Sequence, residues 1–110
     1  VVLDVIINDV SLSVQIDNPY KPDIDGINSQ IRQYASSKGI DIQALDLKGL
    51  ILKMIRGVAG CERGCPANAK NLESTGYNGF HVQYVEGGIL TARRDAGNGV
   101  ILYLKIFPDF

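Results

Sequence analysis

Val100-Ile101-Leu102-Tyr103-Leu104-Lys105-Ile106-Phe107 places Val100, Leu102, Leu104 and Ile106 on one side of an extended chain and Ile101, Tyr103, Lys105 and Phe107 on the other. Both sides are largely apolar. A strand of this composition belongs at the centre of a sheet or under cover, because an edge or one-sided strand alternates apolar with polar residues. The fold therefore has to supply neighbours for this segment, and the sequence before it does so.

Immediately upstream, Asp95-Ala96-Gly97-Asn98-Gly99 reads as a turn, Ile89 to Arg94 as a return strand, and Glu86-Gly87-Gly88 as a second tight turn. Phe80, Val82 and Tyr84 alternate with His81 and Gln83 to give a further strand, so the last third of the chain is a three-stranded meander. The N-terminus adds a strand pair. Val10, Leu12, Val14 and Ile16 alternate with Ser11, Ser13, Gln15 and Asp17, and this run follows Val1 to Ile7 across Asn8-Asp9. Asn and Asp both tolerate positive φ, which suits a two-residue hairpin turn; one long bent strand is the alternative.

Between these β segments lie helical patterns. Asp23 is a good N-cap for a helix to about Lys38, with Ile24, Ile27, Ile31, Tyr34 and Ala35 on one stripe, Arg32 and Gln33 away from it, and Gly39 as its stop. Leu47, Leu50, Ile51, Met54, Ile55 and Val58 share one face of a second helix, with Lys48, Lys53 and Arg56 opposite; this spacing favours helix over strand. Pro66 opens a short third helix that stops near Gly76. Strands, then helices, then strands predict one α+β domain over residues 1–110: a mixed or antiparallel sheet of about five strands with two or three helices on one face. Strand order does not follow from the pattern.

Composition narrows the function classes. The 110 residues are 45% hydrophobic and 21% charged, the range of an ordinary globular domain. With 11 basic and 12 acidic residues scattered without blocks, the net charge of −1 argues against nucleic acid as the main partner. Apolar runs are too short to span a bilayer, so no membrane association is expected. The phosphate-loop, dinucleotide and nucleophile-elbow signatures are absent. Gly57-Val58-Ala59-Gly60 matches the bare G-x-x-G spacing of a nucleic-acid clamp but has apolar residues between its glycines. The acidic pair Asp23 and Asp25 is explained by helix capping.

The chemistry legible in the chain is its two cysteines, in Gly60-Cys61-Glu62-Arg63-Gly64-Cys65-Pro66. A residue before proline is pushed out of the helical region, which makes Cys65 the N-cap of the third helix rather than a residue one turn from Cys61 on the same helix. The free N–H groups and dipole at a helix start favour a thiolate, and Arg63 and Lys70, with Arg56, add positive charge. Three readings follow: a thiol redox pair, ligation of a metal, or two cysteines that merely pack. Paired cysteines without an export signal fit a reducing compartment, so a cytoplasmic location is expected.

Cys61-Glu62-Arg63-Gly64-Cys65-Pro66 is similar to the C-x3-C-P end of the bacterial ferredoxin motif, and that resemblance implies an iron–sulfur cluster. The rest of the motif calls for cysteines at positions occupied by Ile55 and Val58. A cluster, or a structural zinc, would accordingly be shared with another chain, a protein partner or a second copy of this one. His81 is the candidate third ligand, or the base of a Cys–His pair, although a histidine at a strand surface is the plainer reading. The rival function is a non-catalytic interaction module with structural cysteines.

Overall fold

Five strands form a single antiparallel sheet in the order β2-β1-β5-β4-β3. The computed structural model describes residues 1–42, 45–59, 66–85, 87–97 and 99–108. The elements are β1 (Val2–Ile7), β2 (Val10–Gln15), α1 (Ile24–Ser37), α2 (Lys48–Ala59), α3 (Pro66–Thr75), β3 (His81–Val85), β4 (Ile89–Gly97) and β5 (Val100–Phe107). The α+β class and the pairing of a hairpin with a three-stranded meander are as expected from sequence. β5, apolar on both sides, is the middle strand. It joins the two ends of the chain by pairing with β1 over Val2↔Phe107 to Ile7↔Leu102.

Register sorts the side chains into two faces. Leu3, Val5 and Ile7 of β1 stand opposite Ile106, Leu104 and Leu102 of β5, and Leu90 and Ala92 of β4 continue the same rows. All eight are fully shielded from solvent. They meet Ile31 of α1 and Leu47, Leu50, Ile51, Met54 and Ile55 around α2 in one core, which places the helices on that face. The other face keeps Val2, Asp4, Ile6, Tyr103, Lys105 and Phe107 half-exposed.

Local chemistry fixes the element ends. The Asp23 carboxylate accepts from the Gly26 N–H at 3.0 Å, the expected N-cap of α1. At the other end Gly39 takes φ 71°; its N–H donates to the Ser36 carbonyl at 3.0 Å and the Ile40 N–H to the Ala35 carbonyl at 2.9 Å. These two bonds close a Schellman motif, which needs the left-handed residue that glycine supplies. In the β1–β2 turn Asn8 has φ 56°, and its side-chain oxygen accepts from the Ile101 N–H at 2.8 Å, tying the hairpin to β5.

Two local readings change. β4 runs through Gly97 instead of stopping at Arg94, because a bulge between Asp95 and Gly97 absorbs the extra residue while the Asp95 carboxylate accepts from the Gly97 N–H at 3.0 Å. Arg32, read as lying away from the apolar stripe of α1, is half-buried: its guanidinium donates to the Asn28 side chain at 3.2 Å, to the Ile42 carbonyl at 2.9 Å and to the Leu45 carbonyl. A long side chain on the flank of a helix can bury its stem and still find carbonyl partners, which periodicity does not register.

Candidate functional site

Cys61, Arg63 and Cys65 lie outside the described residues, as does the tail beyond Pro108. The frame that carries the cysteine segment is described on both sides: α2 ends at Ala59 and α3 begins at Pro66. The last turn of α2 and the first turn of α3 are packed together. A β-carbon added to Gly57 would stand 3.5 Å from the Ala69 Cα, an ordinary contact, and 3.2 Å from a Leu90 methyl group, which would have to give by a few tenths of an ångström, so α2 and α3 meet closely over β4 at this position. Gly57, Val58, Ala69 and Leu90 are buried where these two helices meet β4.

The third helix starts with proline at its first position, as expected, and Cys65 is its immediate predecessor in the chain. The helix is 10 residues long and turns at Gly76, where φ is 66°. Of the residues offered as supporting charge, Arg56 is exposed in the last turn of α2, and Lys70 is exposed on α3 next to buried Ala69. Both stand on the two helices that flank the cysteine segment. Glu73, one turn further along α3, accepts from the Tyr84 N–H at 2.7 Å and so fastens the helix to the edge strand β3.

His81 is placed differently. It is exposed at the start of β3 and lies across from Arg93 of β4, whereas its neighbour Val82 is fully buried on the helix-covered face. Side chains of successive strand residues point to opposite faces, so His81 projects from the face opposite to α2 and α3. Among the described residues no group of three or more His, Cys, Asp or Glu side chains is arranged to hold a metal.

The chain matches no family model, no curated protein and no solved structure.

Two features of the same helices were not singled out from sequence. Lys53 and Arg56 of α2 face Asn71, Leu72 and Thr75 of α3 across a groove of about 250 Å³. Beside it, the Lys53 ammonium lies 5.4 Å from the centre of the Tyr77 ring. The Tyr77 hydroxyl in turn donates to the Asp46 carboxylate at 3.3 Å. Burial pushes the Tyr77 phenol above its usual value, and the charge and hydrogen bond of Asp46 add to that. The groove's signal in the sequence is the three-residue spacing of Lys53 and Arg56, which puts them on one ridge of a helix; what faces that ridge depends on how α3 packs. No described helix is long and apolar enough to cross a membrane.

Proposed function

We propose that this domain is an accessory module whose Cys61/Cys65 pair works either as a dithiol/disulfide couple or as a thiolate pair that ligates zinc or an iron–sulfur cluster shared with another chain. The observation that supports this reading is the packing of α2 against α3 at Gly57 and Ala69, which brings together the two helices that flank the thiol-bearing segment in the chain. A thiol preceding a helix is stabilised as thiolate by the free N–H groups and the dipole, and Arg63, Arg56 and Lys70 supply further positive charge. Cys65 is the activated sulfur and Cys61 the resolving or co-ligating one. As a redox couple, the two thiols would give up two protons and two electrons to a disulfide-bearing partner, forming one S–S bond as the partner's is cleaved. As a ligand pair they would fill two positions of a metal or cluster, the remainder coming from a partner protein or a second copy. Either use suits a reducing compartment such as the cytoplasm.

A second reading is favoured by the sheet face that the helices leave uncovered. Ile6, Tyr103 and Phe107 are half-buried there and Ile101 is exposed, which fits an interaction module whose cysteines only pack.

Thiol chemistry separates the two. Alkylation rate followed against pH in the Cys61→Ser variant should give Cys65 a midpoint below that of an ordinary thiol. Protein purified without oxygen should carry metal by elemental analysis, or else form a disulfide that a dithiol reverses. Ordinary titration of both thiols, together with neither metal nor reversible disulfide, leaves the interaction module as the function.

A further inference from the structure

We infer that the groove between α2 and α3 is a binding site for a compact oxyanion, the phosphate or carboxylate group of a small polyanionic molecule. Two cationic residues, Lys53 and Arg56, line it with no described carboxylate to neutralise them. Among the described residues, neither Lys53 nor Arg56 forms an ion pair with a carboxylate, whereas Lys48 on the same helix holds Asp25 at 2.7 Å. The carboxylates on neighbouring segments are engaged: Asp46 by the Tyr77 hydroxyl and the Asn78 amide, Glu73 by the Tyr84 N–H. Like charges three residues apart on one ridge repel weakly, and an anion bound between them would turn that repulsion into attraction.

The rest of the lining suits an anion. Asn71 and Thr75 add polar side chains to the lining, and Leu72, with 5% exposure, is its buried apolar member. The Thr75 hydroxyl donates to the Asn71 carbonyl at 3.0 Å and holds that turn of α3 in place. Lys53 rests against the Tyr77 ring, which limits where its ammonium can go. Arg56 offers a planar fork that matches a phosphate or carboxylate in a bidentate way. The groove, about 250 Å³, is smaller than the ~300–1,000 Å³ of pockets that enclose drug-sized ligands, so the occupant is an ion-sized group rather than a nucleotide. Since the chain carries a net charge of −1, attraction of an anion to this spot is local.

The inference stands apart from the thiol reading, and the experiment keeps them apart by using the full chain with Cys61→Ser and Cys65→Ser. Amide resonances would be followed by NMR during titration with inorganic pyrophosphate and, separately, with citrate. Saturable shifts confined to α2 and α3 are expected with at least one of them; pyrophosphate alone marks a phosphorylated ligand, citrate alone a polycarboxylate, and both a site selecting on charge. Arg56→Gln should weaken binding by about 10-fold or more and Lys53→Gln by roughly 3- to 10-fold, as for loss of a charge-assisted contact. Arg93→Gln, which removes a cation from the opposite sheet face, should change it less than about 2-fold. Shifts spread over all basic surfaces, no saturation with either anion, or equal weakening by Arg93→Gln and Arg56→Gln would each overturn the assignment.

Discussion

Leu104→Ala is expected to destabilise the domain by about 2–5 kcal/mol, a large share of the ~5–15 kcal/mol that holds such a domain folded. Leu104 sits in the middle of β5, fully buried, between Val5 of β1 and Ala92 of β4. Its removal opens a cavity at the seam where the N-terminal hairpin is zipped to the C-terminal meander. Ala92 is too small to fill the space from one side, and Val5 is fixed by its own ladder. For a chain of 110 residues the loss should lower Tm by roughly 10–20 °C, measured by thermal unfolding followed by circular dichroism. The control is on the same strand: Ile101, 37% exposed on the face without helices, should cost less than about 1 kcal/mol on change to alanine. Equal losses at the two positions would mean that the two faces of β5 are wrongly assigned.

That contrast also explains how far the sequence could be read. The apolar residues on both sides of β5 pointed to a central or covered strand; the structure makes it central, between β1 and β4, and lays helices over one face only. Caps and stops were legible because they depend on residue chemistry within a few positions: Asp23 at the start of α1, Gly39 at its end, Pro66 at the start of α3. Strand order was not legible, since β1 pairs with β5 through contacts almost the full length of the chain apart, and nothing local in Val2–Ile7 names that partner. The same limit applies to function. Cys61 and Cys65 stand out by residue type, whereas the α2/α3 groove exists only once Gly57 and Ala69 are packed together. Lys53 and Arg56 look like any solvated helix face until Asn71 and Thr75 are brought opposite them.

Arg32→Ala should cost about 2–3 kcal/mol, an unusually large effect for a residue that the helical pattern assigns to the outside. The guanidinium spans from α1 to the segment that leads into α2, donating to the Asn28 side chain and to the Ile42 and Leu45 carbonyls. Ile42, Leu45 and Leu47 are all buried; the Ile42 carbonyl also accepts from the Leu45 N–H at 3.1 Å, so it is the Leu45 carbonyl, at the core's margin, that loses its donor when Arg32 is removed. Arg32→Met keeps an apolar stem of similar length and removes every donor. It should lose nearly as much as alanine, while Arg32→Lys should recover less than half, because one ammonium cannot reproduce a fork held on two carbonyls. Urea unfolding of the three variants measures this directly. Full recovery by methionine would mean that the stem's packing, and not the clip, is what matters.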